Sequence, residues 1–147
     1  MARNQRDFTF DYDLQLKDAG LIAADDIAQV DGSDKILDFG QSRVDGRVII
    51  DATAVEVASG DEAYEIVLEF SSSSTFASDI RQGPKFTLGD AAATVMLAAD
   101  VDNGVGRYEL AFTNEINGTT YRYMRMQIDV TGAIATGVDF TAFVVLQ

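Results

Sequence analysis

The chain has 147 residues, with 24 acidic against 11 basic side chains for a formal net charge of −13, and it contains neither histidine nor cysteine. That length suits one domain with a full core, while the missing residue types exclude disulfides, thiolate metal sites and Ser–His–Asp catalysis. The charge repels phosphate backbones and anionic bilayers, so neither nucleic acid nor membrane is expected as a partner; it fits plain solubility and a basic partner equally well.

The N-terminus, Met1 to Asp7, is basic but has no apolar run behind it, so it does not read as a secretory signal. From Asp7 to Leu16 the pattern alternates strictly: Phe8, Phe10, Tyr12, Leu14 and Leu16 fall on one face, with polar residues between them. That is the period of a half-buried strand, belonging either to its own sheet or to an extended arm. Lys17 to Asp34 is rich in small and acidic residues and reads as a long connection, with a helical turn expected near Ala23 to Gln29.

Ile36 to Phe39 is a short strand ending at Gly40. Asp45-Gly46 carries a turn signal before the β-branched run Arg47 to Ala58, and Ser59 to Glu62 makes the next turn. Ala63 to Phe70 is a strand with Tyr64, Ile66, Leu68 and Phe70 on one face. The serines from Ser71 to Ser74 form a loop, and Gly83-Pro84 reads as a turn before a short strand at Lys85 to Leu88. Ala91 to Ala99 is apolar but too short to span a bilayer, and its period decides neither helix nor strand. Asp100 to Gly104 is a turn, followed by an alternating strand from Arg107 to Thr113.

Asn117-Gly118 is a hairpin signal joining that strand to Thr119 to Val130. There Met124, Met126 and Ile128 share one face, while Tyr121, Tyr123 and Arg125 share the other. Val138 to Leu146 is apolar on both faces and reads as a central strand. The spacing of turns and the lack of long crossover helices point to an all-β, jelly-roll-like antiparallel sandwich of about eight strands. Residues 1–34 supply an N-terminal strand or arm and the long connection; 35–147 form the sandwich domain.

No chemistry-bearing constellation stands out. Asp100-x-Asp102-Asn103-Gly104 misses the spacing of a calcium loop and lacks its closing Glu, and a turn explains the same residues. The glycines form no phosphate loop. Asn117-Gly118-Thr119 fits a glycosylation sequon, but the hairpin accounts for it better. No metal, no cofactor and no enzymatic activity is expected. Two features suit protein binding. One is the N-terminal segment, with Arg3 and Arg6 at its tip and Phe8, Phe10 and Tyr12 behind, able to add to a neighbouring sheet or to edge its own. The other is the face of Tyr121, Tyr123 and Arg125, either an interface or a cross-strand ladder.

Several stretches taken together, Arg43 to Asp51, Ala58 to Tyr64, Thr87 to Ala92, Gly106 to Leu110, Phe112 to Glu115 and Asn117 to Tyr123, resemble the cement or decoration proteins of podovirus-like tailed-phage capsids. The resemblance covers the chain from Leu37 onward and is weaker over residues 1–34. It implies a jelly roll made in the host cytoplasm and mounted on the outer surface of the virion. There it would bridge copies of the major capsid protein, as a homo-oligomer, a dimer in preference to a trimer. It brings no residue-level binding motif. The competing expectation is a carbohydrate-binding jelly roll, lectin-like or tail-associated, against which the absence of tryptophan weighs.

Overall fold

The structure, a computed structural model, describes residues 10–89 and 104–147. Short strands come first: β1 (Gln15–Lys17), β2 (Leu21–Ile22), β3 (Asp26–Ile27), β4 (Gln29–Val30), β5 (Ser33–Asp34) and β6 (Leu37–Asp38). Longer ones follow: β7 (Asp45–Val55), β8 (Ala63–Ser71), β9 (Arg81–Gly89) and β10 (Gly106–Thr113). The hairpin strands β11 (Glu115–Ile116) and β12 (Thr119–Thr120) precede β13 (Tyr123–Thr131) and β14 (Val138–Leu146).

One sheet runs β1-β14-β7-β10, with β2 on the same side of β14 as β1. The other runs β3-β13-β8-β9, with β6 continuing the β3 side of β13. All these pairings are antiparallel. Segments sharing one lateral position count as one strand: β1 with β2 is the first, β3 with β6 the second, β7 to β10 the third to sixth, β13 the seventh and β14 the eighth. The sheets then read first-eighth-third-sixth and second-seventh-fourth-fifth. That order is a jelly roll.

Alternation produces the core. Tyr64, Ile66, Leu68 and Phe70 of β8 meet Met124, Met126 and Ile128 of β13 and face Val48 and Ile50 of β7 and Phe140 and Val144 of β14; all are fully buried. Each such side chain contributes about 1.5–3 kcal/mol relative to exposure. At one end Phe112 stacks on Phe39 at 5.9 Å and lies 6.2 Å from Phe70. The strands expected at Ala63 to Phe70, Arg107 to Thr113 and Val138 to Leu146 are present, and β14 lies inside its sheet, between β1 with β2 and β7.

Five expectations are corrected. Tyr12–Leu14 is a 3-10 turn capped by the Asp11 carboxylate, so among the described residues the alternating segment is a strand only at Gln15–Lys17. No helix forms near Ala23 to Gln29; the two-residue strands β2 to β5 pave that connection instead. Asp45-Gly46 lies within β7: a Cβ on Gly46 would sit 2.7 Å from the Val145 carbonyl and 3.0 Å from the Phe112 ring, so close approach requires the glycine. Gly83-Pro84 lies within β9, the outermost described strand of its sheet, where a missing ladder donor is tolerated. Asn117 (φ 51°) and Gly118 (φ 78°) do make the expected turn, but it joins only β11 to β12, and β10 and β13 lie in different sheets. Ala91 to Ala99 and Asp100 to Asn103 lie outside the described residues.

Two buried polar residues hold the crossings. Asn114 closes the step from β10 to the hairpin: its Oδ1 accepts from Val44 N–H at 2.7 Å, and its Nδ2 donates to the carbonyls of Ser42 at 3.1 Å and Tyr121 at 2.9 Å. Lys17 sits where β1 breaks from β2 along β14. Its ammonium donates to the carbonyls of Asp18, Gly20 and Phe140, each at 2.9 Å, and lies 4.8 Å over the Phe140 ring. A side chain here supplies donors that an unbroken strand would supply from its backbone. Burial pushes the Lys17 pKa down, while Asp139, Asp18 and Asp26 pull it up.

Candidate interaction surfaces

The N-terminal segment enters the domain over the outer face of the β14 sheet. Phe10 packs edge-on against Phe143, ring centroids 5.5 Å apart, beside the buried Ile49 that pairs with Phe143 across the ladder. Phe10 and Tyr12 are nonetheless 52% and 56% exposed. The Tyr12 hydroxyl donates to Asp31, which raises the phenol's pKa. By contrast, Leu16 and Lys17 are integral to the domain, at 0% and 4% exposure. Arg3, Arg6 and Phe8 lie outside the described residues.

The structure does not bring Tyr121, Tyr123 and Arg125 onto one face. Tyr121 falls between β12 and β13, is buried, and its hydroxyl accepts from Arg81 Nε at 3.2 Å. Tyr123 is half-buried beneath the Arg122 guanidinium at 5.3 Å, while Arg122 forks onto Asp38 at 2.7 and 2.9 Å. That fork holds the Asp38 carboxyl down at about 2. Arg125 is sandwiched between Glu69, at 2.7 Å, and the Phe76 ring, at 4.4 Å. Phe76 comes from the serine loop after β8 and takes a left-handed φ of 53°, a conformation a bulky residue keeps only when its contacts hold it there. Arg122 and Arg125 are thus each matched to a carboxylate within the chain, while Asp129 lies directly across from Glu65.

A groove of about 550 Å³ opens between β9 and β10 at their hairpin end, with Phe112, Pro84 and Ile116 as apolar wall and Asp45, Gln82 and Glu115 among its polar lining. At the opposite end of the sandwich the Glu56 carboxylate accepts from the N–H groups of Ala135, Thr136 and Gly137 at 2.6–3.1 Å, and Glu62 accepts from Ser59 and Asp61. The Gly137 and Thr136 donors lead in lowering the Glu56 pKa. Glu62 is also lowered: burial raises it, and the surrounding backbone donors outweigh that. These carboxylates staple loops and are occupied by that role. Among the described residues no group of three or more carboxylates is placed to hold a metal ion, and no helix is long and apolar enough to cross a membrane.

The chain matches no protein-family model, no curated protein and no solved structure.

Proposed function

We propose that this chain is a structural virion protein that cements or decorates a tailed-phage capsid, bridging major capsid protein subunits on the outer shell. The observation that carries the reading is the pair Phe10 and Tyr12, more than half exposed at the exit of a segment that carries Arg3 and Arg6. Aromatic and Arg side chains dominate protein interfaces energetically. The jelly-roll strand order and the likeness of the stretches from Arg43 to Tyr123 support it further. Many modest contacts repeated around a shell give tight attachment through avidity, so no single deep site is required.

The test is co-sedimentation with podovirus-type capsid shells, read as the ratio of bound chain to shell protein. The truncation stops at residue 9, because removing residues 1–16 would also remove the fully buried Leu16. Wild type is expected to pellet with shells. The truncated chain, and Phe10→Ser with Tyr12→Ser, are expected to stay in the supernatant while keeping the wild-type circular dichroism spectrum. Wild type that never pellets with shells overturns the reading; truncated chain that pellets normally overturns the role of the arm.

One observation favours a carbohydrate-binding role instead. The groove beside Phe112 combines an apolar wall with carboxylate and amide groups suited to sugar hydroxyls. A glycan array run with and without calcium separates the two, and Gln82→Ala should abolish any signal that arises in this groove.

A further inference from the structure

The hairpin between β10 and β13 carries an Asn-Gly pair with reactive groups that the fold leaves unused. Asn117 and Gly118 form the two-residue loop between β11 and β12. That ladder has two residue pairs, Glu115 with Thr120 and Ile116 with Thr119, and belongs to neither large sheet. Both loop residues are exposed, as are Thr119 and Thr120. Among the described residues the Asn117 amide has no hydrogen-bond partner, and the Gly118 N–H joins none of the turn or loop hydrogen bonds. A Cβ at Gly118 would meet nothing within 4 Å, so its nitrogen is approached across open space. Asn114, at the foot of the same hairpin, is the opposite case. It is fully buried, its amide donates to the Ser42 and Tyr121 carbonyls, and the next residue, Glu115, has a side chain.

We propose that Asn117 is a site of spontaneous deamidation, in which the Gly118 nitrogen displaces ammonia from the side-chain amide and water opens the resulting cyclic imide. Hydroxide removes the Gly118 N–H proton. The nitrogen lone pair then forms a bond to Asn117 Cγ, and the Cγ–NH2 bond breaks, its electron pair leaving with a proton as ammonia. Water adds to one of the two imide carbonyls and breaks that carbonyl's bond to nitrogen. The net change is one water consumed and one ammonia released, with no oxidation or reduction. Addition at Cγ gives an aspartyl residue; addition at the main-chain carbonyl gives an isoaspartyl residue, with the chain rerouted through Cβ. Glycine suits the second position because it sets no Cβ beside the attacking nitrogen. Reaching Cγ requires the Asn117 backbone to leave its turn, and a ladder of two exposed pairs opens at little cost. The aspartyl product keeps the turn, since Asp tolerates the left-handed φ of 51° as Asn does. The isoaspartyl product adds a backbone carbon to a two-residue loop and cannot hold Ile116 opposite Thr119. Glu115 and Ile116 line the groove beside Phe112, so this product reshapes the groove, and either product adds a negative charge to the hairpin.

The chemistry is independent of the capsid reading, since it concerns the purified chain alone. The experiment is incubation of the full chain in mildly alkaline buffer, folded and in urea, followed by trypsin and mass spectrometry. Cleavage after Arg107 and Arg122 releases residues 108–122, which contain Asn114 and Asn117 but not Asn103, the other asparagine followed by glycine. Conversion replaces NH2 by OH and raises the peptide mass by that difference. Fragmentation assigns the gain to Asn114 or Asn117, and a methyltransferase specific for isoaspartyl carboxylates measures the rearranged share. Asn117→Asp supplies the reference for the aspartyl form. Asn117 is expected to convert in the folded chain within about tenfold of its rate in urea, with an isoaspartyl share, while Asn114 stays intact. The rate should fall in proportion to hydroxide as the buffer is made less alkaline. Folded-state conversion more than about tenfold slower than in urea means that the hairpin shields the site, and it overturns the proposal. Conversion of Asn114 at a matching rate, or a product without isoaspartyl, overturns it equally.

Discussion

Replacing Asn114 by alanine removes one acceptor and two donors from a fully buried position. The Val44 N–H and the carbonyls of Ser42 and Tyr121 then lose their partners, and a buried polar group left without one costs about 1–3 kcal/mol. Water entering the vacated volume restores part of that, so we expect a loss of about 3–4 kcal/mol out of the roughly 5–15 kcal/mol that holds a domain folded. For a chain of this size the melting temperature should drop by about 10 °C. The chain has no tryptophan, so urea unfolding is best followed by far-ultraviolet circular dichroism. The midpoint should fall with the slope unchanged, since the same surface is exposed on unfolding. Asn114→Asp sharpens the test. Its carboxylate would face two carbonyl oxygens, so at pH 7 it should be less stable than the alanine variant. That environment raises the folded-state pKa of the new acid above its unfolded value near about 4, so the folded state binds the extra proton and stability rises as pH falls through the raised pKa. A loss below about 1 kcal/mol for alanine, or an aspartate variant no worse than alanine at pH 7, would refute the assignment of Asn114 as the hub of this crossing.

Lys17→Met should destabilise the domain by about 1–3 kcal/mol by leaving three carbonyls without their ammonium, and hydrogen exchange should quicken first at Gly20 and along β1. Gly46→Ala should cost more than about 2 kcal/mol in the same urea assay, because its Cβ meets the Val145 carbonyl, whereas a turn at this position would tolerate alanine. Gly137→Ala should be worse still, since its φ of 100° disfavours any side chain and the new Cβ would fall on the Ile22 carbonyl. Acid should erode stability between the ordinary aspartate value of 3.8 and the folded Asp38 value of about 2. Asp38, Asp45, Glu56 and Glu62 all have lowered pKa values, so their contribution is complete above the unfolded values and is lost on descent. Midpoints at about pH 7, 4 and 2.5 measure this, and Asp38→Asn should flatten the lowest part of the curve.

Strands with a core-facing row were legible because their period is written in the residues, as in Tyr64 to Phe70 and Tyr108 to Phe112. Glycine and proline misled wherever tertiary contact, and not a turn, required them: Gly46 lies on the Phe112 ring, and a Cβ on Gly83 would approach the Phe70 ring to 2.5 Å. The N-terminal alternation was genuine at Leu16 but was overridden upstream, where the Asp11 cap turns Tyr12–Leu14 into a 3-10 turn. Tyr121 was assigned to the wrong side because the strand breaks between β12 and β13, and a period carried across a break inverts. Asn114 and Lys17 left no sequence signal, since an Asn after a strand and a Lys opening a polar connection look like surface residues until their partners, 72 and 123 residues away, are known.

The Lys17 contact also sets a schedule for synthesis. Its Phe140 acceptor is translated 123 residues after it, and β1 has no other strand to pair with among the described residues. During elongation at about 5–20 residues per second, Leu16 and Lys17 therefore wait for several seconds or more with an apolar side chain and a bare strand edge exposed. Folding dominated by such distant pairings is slow. A chain stalled before Phe140 would hold an unclosed first sheet and be a target for chaperones or aggregation, and completing β14 is what commits the domain to its native form.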